Sequence, residues 1–358
     1  MSELRIHAIP SHCLGSRSRA FPAPLHHVAA VAGLLTIASI VSLSLGSQTM
    51  ALFEVLAYLA RVARGMELDT QGRILYHLRL PRLLLGLFAG AGLAVSGTAM
   101  QGITRNPLVS PFTLGLSSAA SFGASLAIVF QWTPFPGSRI GIVFTAFIVS
   151  LLCAACVFLI AGKAGLSPVT LILTGLALSY LFSALSASVQ FVSQEHQLSA
   201  VVSWTFGSLN GAQWPHTAVP GALVLLCLPI LFLIVWPLNV MYSNDDEVAV
   251  SLGVRPRLIR LISALVSVLL TSAIISFTGV IGFIGLVAPH ISRMIVGVDH
   301  RYLLPHSALT GALLLVAGDT LGRTVLSPVQ IPVGIVVSFI GVPIFVHLIL
   351  RGRTGAFQ

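Results

Sequence analysis

Ten apolar runs of about the length of a membrane span, separated by short polar breaks, leave this chain little choice of fold. They lie near 28–46, 81–103, 112–131, 140–161, 166–190, 217–237, 257–277, 279–297, 303–322 and 332–350. Charged residues make up 8% of the chain, against roughly 25% in soluble domains. The expected architecture is therefore all-α: a polytopic membrane protein of about ten transmembrane helices. One membrane domain covers 28–350, flanked by tails at 1–27 and 351–358, and no stretch remains for a large soluble domain.

Ten spans put both termini on one side of the membrane. On that footing 12 of the 19 Lys and Arg residues share the side of the termini and 7 lie on the other, so both tails are expected in the cytoplasm, below an inner membrane. The net charge of +9 is scattered between apolar runs rather than along one soluble face, which argues against nucleic acid. Five of the seven outside arginines crowd 61–82 (Arg61, Arg64, Arg73, Arg79 and Arg82), where topology does not call for them. They invite a functional reading. Met50 to Arg64 has the pattern of a short amphipathic helix, placed by that pattern in the outer interface with membrane lipid. The proline-broken lead is too long for a signal n-region, and no A-x-A site follows Val28 to Leu45, which reads as an uncleaved first span.

Several function classes fall away. A phosphate-binding loop needs Gly-Lys followed by Ser or Thr, and the one lysine, Lys163, sits in Ala-Gly-Lys-Ala. The chain is not expected to be an enzyme, and energy from ATP would have to come through a partner ATPase. Cys153 and Cys156 share a helical face but have no further ligand nearby, so they read as small buried apolar residues; neither a metal site nor a cofactor is expected. A proton- or sodium-coupled carrier normally keeps carboxylates inside its spans, and here Asp319 is the main one, near Arg323 at a span end, where a local ion pair accounts for it. A secondary carrier and a non-transporting scaffold remain the rival classes.

Three further patterns carry information. Ser179, Ser183, Ser186 and Gln190 recur at helical spacing in the fifth run, a polar stripe that either bonds a neighbouring helix or lines a route for a polar solute. Asp245-Asp246-Glu247 opens a short segment that ends at Leu252-Gly253-Val254. An acidic start suits the helix dipole and a glycine suits its end, giving a surface helix fit to dock a cytoplasmic partner. The run from 279 to 301 starts with spaced glycines and ends in a polar cluster, with His290 read as a structural contact. Sliding 90–111 onto 311–332 aligns Gly90, Ala91, Leu93, Val95, Gly97, Pro107 and Pro111 with Gly311, Ala312, Leu314, Val316, Gly318, Pro328 and Pro332. A chain so rich in Gly, Ala, Leu and Val reaches that level by chance.

Together these motifs resemble the FecCD-type permeases, the membrane subunits of ABC importers for iron-siderophores, haem and cobalamin. The resemblance runs from about Leu78 to Arg351. It rests on Arg79-Leu80-Pro81-Arg82, on Gln101-Gly102 followed by Arg105-Asn106-Pro107-Leu108, on Leu114-Gly115 with Ser117-Ser118, and on Leu252-Gly253-Val254. It rests also on Gly279 to His290, on Asp299-His300-Arg301 with Leu304-Pro305, and on Pro332-Val333-Gly334 with Gly341-Val342-Pro343. It implies a dimer of permeases, homodimer or heterodimer, with the pathway along the interface, two cytoplasmic ATPases, and an extracytoplasmic substrate-binding protein. By the same resemblance Arg79, Arg82 and Arg323 pair with glutamates of the binding protein. The segment from Asp245, Asp246 and Glu247 to Leu252, Gly253 and Val254 couples to the ATPase. Asn106, Leu108, Ser167 and Pro168 form the cytoplasmic gate, with Pro168 standing where a small polar residue is expected, and the serine stripe lines the pathway. The implied cargo is an iron chelate, with haem, cobalamin or an oxyanion such as molybdate as the alternative.

Overall fold

The computed structural model describes residues 25–46, 49–165 and 167–351; apart from 25–27 and 351, the two expected tails lie outside the described residues. These residues form helices and no strand. The first span is α1 (Leu25–Ser44), followed by the amphipathic α2 (Leu52–Ala63), where Glu54 Oε2 reaches back to accept from the N-cap Ala51 N at 2.9 Å. The short α3 (Thr70–Ile74), N-capped by Asp69, continues through a π-helical turn at Leu75–Arg79 into α4 (Leu80–Thr104). A π turn shifts the helical phase, and such turns recur at functional positions.

The remaining helices are α5 (Leu116–Val129), α6 (Arg139–Lys163), α7 (Pro168–Phe191), α8 (Glu195–Thr205), α9 (Trp214–Leu233), α10 (Val235–Ser243), α11 (Asp246–Ser251), α12 (Pro256–Thr278), α13 (Ile284–Val296), α14 (His300–Thr324) and α15 (Val333–Arg351). Among the described residues six helices are long and apolar enough to cross a membrane, and α5, α13 and α15 are shorter apolar ones. Each of the ten runs in the sequence carries one main helix, α1, α4, α5, α6, α7, α9, α12, α13, α14 or α15, and the sixth run, 217–237, also takes in the start of α10. α4 is the hub, packed against α14, α12, α13 and α9. In the most apolar window of the α3–α4 helix 78% of residues are buried, against 17% for α7. The first is core, and the second leaves most of its surface for lipid or for another chain.

Close backbone approach builds that core. A methyl on Gly97 would sit 1.8 Å from Gly285 O, and one on Gly90 would sit 2.4 Å from Gly311 O. In lipid, where apolar burial gives helices no reason to associate, such contacts let dispersion forces act along the whole crossing. The approach at Gly90 is reciprocal, since a methyl on Gly311 would sit 2.4 Å from Gly90 O. These are two of the residues that the internal alignment matched, and α4 and α14 cross there. The other aligned glycine pair does not repeat this contact, since Gly97 faces Gly285 and Gly318 faces Val337, so the approach at Gly90 is a local one. Hydroxyls add to the packing: Ser150 Oγ lies 2.7 Å from Ser272 Oγ, and Ser267 Oγ donates to Ser96 O at 3.2 Å.

Three features depart from the sequence reading. The eighth run was expected to be helical from 279, but Gly279 (φ 71°) and Phe283 (φ 64°) take left-handed backbone and the helix starts only at Ile284. Ser208 N donates to Thr278 O at 2.7 Å beside this break, so the irregular backbone is satisfied within the protein. The helix α8 lies where the sequence suggested only a connection. Cys156, read as buried beside Cys153, is exposed on α6 while Cys153 is buried.

Candidate functional site

Arg79, at the end of the π turn, and Arg82, in the first turn of α4, lie at one end of the bundle with Arg323, in the last turn of α14. Asp319 joins two of them. Its carboxylate accepts from Arg82 Nε (3.0 and 3.1 Å) and Nη2 (2.8 Å), a bidentate fork, and from Arg323 Nε at 3.1 Å. The Asp319 side chain is 6% exposed, that of Arg323 10% and that of Arg82 17%. Charges this far from water persist because they are paired.

The other donors serve α1. A helix leaves its last carbonyls without intrahelical partners. Arg79 Nη1 donates to Leu43 O and Ser44 O, while Arg323 Nη1 and Nη2 donate to Leu45 O (3.1 Å) and Ser42 O (3.2 Å). Two arginines distant in sequence therefore cap the C-terminus of α1. Arg82 Nη1 donates to Gln330 Oε1 at 3.2 Å, on an exposed contact. The sequence placed these three arginines as forks for an outside carboxylate; the structure brings them together but already engages them.

At the opposite end of α4, Arg105 takes the left-handed conformation (φ 50°) that ends the helix. Its Nη2 donates to Asp246 Oδ1 at 2.7 Å and its Nη1 lies 3.5 Å from Asp245 Oδ1. Arg260 of α12 grips the same Asp246 bidentately, at 2.7 and 2.8 Å. Hydrogen bonds from Arg260, with the charges of Arg260 and Arg105, hold the Asp246 carboxyl below the usual carboxylate range. The helix α11 that Asp246 opens closes on a Schellman motif: Val254 N donates to Ala249 O (3.0 Å) and Gly253 N to Val250 O (2.9 Å), with Gly253 at φ 84°. That geometry accounts for Gly253 and the buried Val254. Glu247, Val248, Val250 and Leu252 stay exposed, a small ridge on a helix clasped from behind.

The four residues that the resemblance casts as a gate stand at this same end, Asn106 and Leu108 just after α4, Ser167 and Pro168 at the start of α7. Asn106 Oδ1 accepts from Leu108 N at 2.9 Å, leaving the Leu108 side chain exposed. Ser167 Oγ caps α7 by accepting from Thr170 N at 3.2 Å, and Pro168 takes the first helical position, where a missing N–H costs nothing. The unexpected proline thus has a local structural reason.

The serine stripe bonds a neighbouring helix and also opens on a groove. Ser179 Oγ donates to Gly175 O within its own helix (2.8 Å), and Ser183 Oγ donates across to Ser118 Oγ (3.1 Å). Ser183, Ser186 and Gln190 then line a groove of about 320 Å³ together with Ser117, Ser118 and Ser121 of α5 and Thr205 of α8. No charged residue lines it. Ser121 and Thr205 escaped the sequence reading, and Ser117-Ser118 entered it only as a family motif; the spacing Ser117, Ser118, Ser121, which puts three hydroxyls on one helical face, was the available signal.

Comparison with known proteins places this geometry. The model of the FecCD transport family matches residues 34–351. The hemin transport permease HmuU of Yersinia pestis is 40% identical over 290 residues, covering 80% of this chain and 85% of its own. The molybdate import permease MolB of Haemophilus influenzae is 36% identical over 328 residues, 91% and 95% of the two chains. Among solved structures, a metal-chelate-type ABC transporter in an inward-facing conformation superposes with a TM-score of 0.81 at 34% identity, covering 91% of this chain and 99% of that one. The chain therefore belongs to the FecCD transport family and is a membrane-spanning permease subunit of an ABC importer, a type of subunit that works with ATPase and substrate-binding partners.

Proposed function

We propose that this permease moves an iron chelate from an extracytoplasmic binding protein into the cytoplasm, along a pathway between two permease subunits driven by two ATPases. The observation that carries the reading is the hydroxyl-lined, charge-free groove between α5, α7 and α8. It offers weak hydrogen bonds to a bulky polar complex and no fixed charge to trap it. The binding protein docks at the Arg79, Arg82 and Arg323 end, and the ATPases seat on the ridge of α11, with both termini on the ATPase side. Several relatives are named for iron compounds, Fe(3+)-citrate and iron(3+)-hydroxamate among them, while others are named for hemin, cobalamin or molybdate. Uptake into vesicles holding the complete importer distinguishes these cargoes: ATP-dependent accumulation of ferric chelates supports the reading, and accumulation of cobalamin or molybdate alone sinks it.

Two predictions arise here. Ser186→Leu fills the groove without adding charge and is expected to cut transport to a small fraction of wild type while the ATPases still bind. Asp246→Asn removes the carboxylate that Arg105 and Arg260 share, and is expected to weaken ATPase binding about tenfold, as one lost charge-assisted hydrogen bond would, measured by titration of the ATPase onto the solubilised permease. A depressed carboxyl stabilises above its unfolded pKa near 3.9 and loses that contribution only as pH falls through its lower folded value. Coupling through Asp246 is therefore expected to be flat between about pH 5 and 8.

A further inference from the structure

A cavity of about 550 Å³ lies apart from the serine groove, on the other side of α8 and the Gly279–Val280 break. It is walled by the α5–α6 hairpin, α8 and the end of α12, and lies at the Arg79 end of the bundle. Its character is split. Ile128, Ile142 and Val143 line it with apolar side chains, and Arg139, one turn before Ile142 and Val143 on the same face of α6, lines it together with Ser203 and Asn210.

Arg139 makes the cavity unusual. Its guanidinium donates to three backbone carbonyls, Asn210 O and Phe277 O at 3.3 Å and Gly211 O at a shorter distance. Carbonyl dipoles orient a cation without neutralising it, and among the described residues no carboxylate forms an ion pair with Arg139. Every other half-buried arginine at this end works beside Asp319 or a helix C-terminus. Arg139 is a fixed positive charge lining an open, otherwise uncharged cavity, which suits an anion.

The surroundings identify the source of that anion. The hairpin tip carries Phe130 (41% exposed), Trp132 (68%) and Phe135 (49%), with ring centroids 5.4 Å apart for Phe130 and Trp132 and 6.2 Å for Phe135 and Phe144. Exposed aromatic rings clustered at the end of a hydrophobic hairpin mark the membrane–water interface. The cavity thus lies at headgroup depth, with a cation and apolar side chains side by side along one face of α6. We infer that it holds the phosphodiester headgroup of a membrane phospholipid, with the phosphate on Arg139, hydrogen bonds from Ser203 and Asn210, and the glycerol against the α5–α6 wall. The bound lipid would brace α8, whose Thr205 lines the serine groove, against the α5–α6 hairpin.

The test is native mass spectrometry of the delipidated permease titrated with phosphatidylglycerol, with diacylglycerol and with inorganic phosphate. Wild type is expected to retain phosphatidylglycerol and to release diacylglycerol, which has the same tails and no phosphate. Arg139→Gln is expected to weaken retention about tenfold, and Arg139→Lys to keep most of it. Because Arg139 also ties three carbonyls, Ala200→Trp serves as a second variant: it fills the cavity, leaves the arginine untouched, and is expected to abolish retention in a folded protein. Equal retention by wild type and Ala200→Trp would overturn the inference. So would retention of diacylglycerol equal to that of phosphatidylglycerol, or displacement of the lipid by millimolar inorganic phosphate. Weakened binding-protein docking in Arg139→Gln with lipid retention intact would overturn it too, by assigning the cation to a carboxylate of that partner.

Discussion

Changing Asp319 to asparagine is expected to destabilise the permease by roughly 3–5 kcal/mol, read as a lower melting temperature of the solubilised protein. The shape of the side chain survives but its charge does not, and two arginines with side chains 17% and 10% exposed are left facing a neutral amide. The cost lies in those uncompensated charges rather than in lost contact area. A double-mutant cycle separates the two accounts: once Asp319 is neutral, Arg323→Gln is expected to cost much less than it does in the wild type, because one orphaned charge goes with it. Additive losses would show that Asp319 does not act through Arg323. On the docking proposal, Asp319→Asn also releases the fork of Arg82, so affinity for the binding protein is expected to hold or rise while stability falls.

Replacing Gly97 by valine is expected to abolish assembly of the membrane domain. The first added carbon would lie 1.8 Å from Gly285 O and 2.6 Å from its carbonyl carbon, atoms of a backbone that has no rotamer to change. α4 and α13 would have to part, and the parting would spread along a helix that α14 holds at Gly90. Overpacking usually costs about 1–3 kcal/mol, and here there is no flexible side chain to give way, so the loss is expected to exceed that range. Gly162→Ala is the control, since nothing lies within 4 Å of the added methyl. Size-exclusion profiles after extraction should show a monodisperse Gly162→Ala protein and an aggregated Gly97→Val one; a monodisperse Gly97→Val protein would refute the argument.

What the sequence made legible was whatever a local pattern encodes. Apolar runs long enough to span gave the ten segments, Gly253 marked a helix end that proved to be a Schellman turn, and the nearness of Asp319 to Arg323 foretold their ion pair. What stayed hidden depends on residues far apart in the chain. Nothing near Ser42 to Leu45 indicates that Arg79 and Arg323 will take up the last carbonyls of α1. Nothing near Arg82 points to Asp319, which is 237 positions away. The break at 279–283 was masked because apolar composition is the same for a helix and for an extended segment buried against protein. α8 was missed for the opposite reason, since a short helix of low apolar content looks like a loop unless the Gln197 side chain, which accepts from the N-cap Gln194 N at 3.0 Å, is noticed.

The way α4 is anchored has a mechanical consequence. At about 1.5 Å per residue, its 25 residues form a rod of about 37 Å. Arg79 and Arg82 stand at one tip, and Arg105, clasping Asp245 and Asp246, follows the other. Backbone touching backbone at Gly90 and Gly97 removes the slack that side chains would allow, so the rod and its neighbours shift together instead of bending. A push on the arginine tip therefore arrives at α11 as displacement, and a load placed on α11 is felt at the arginines.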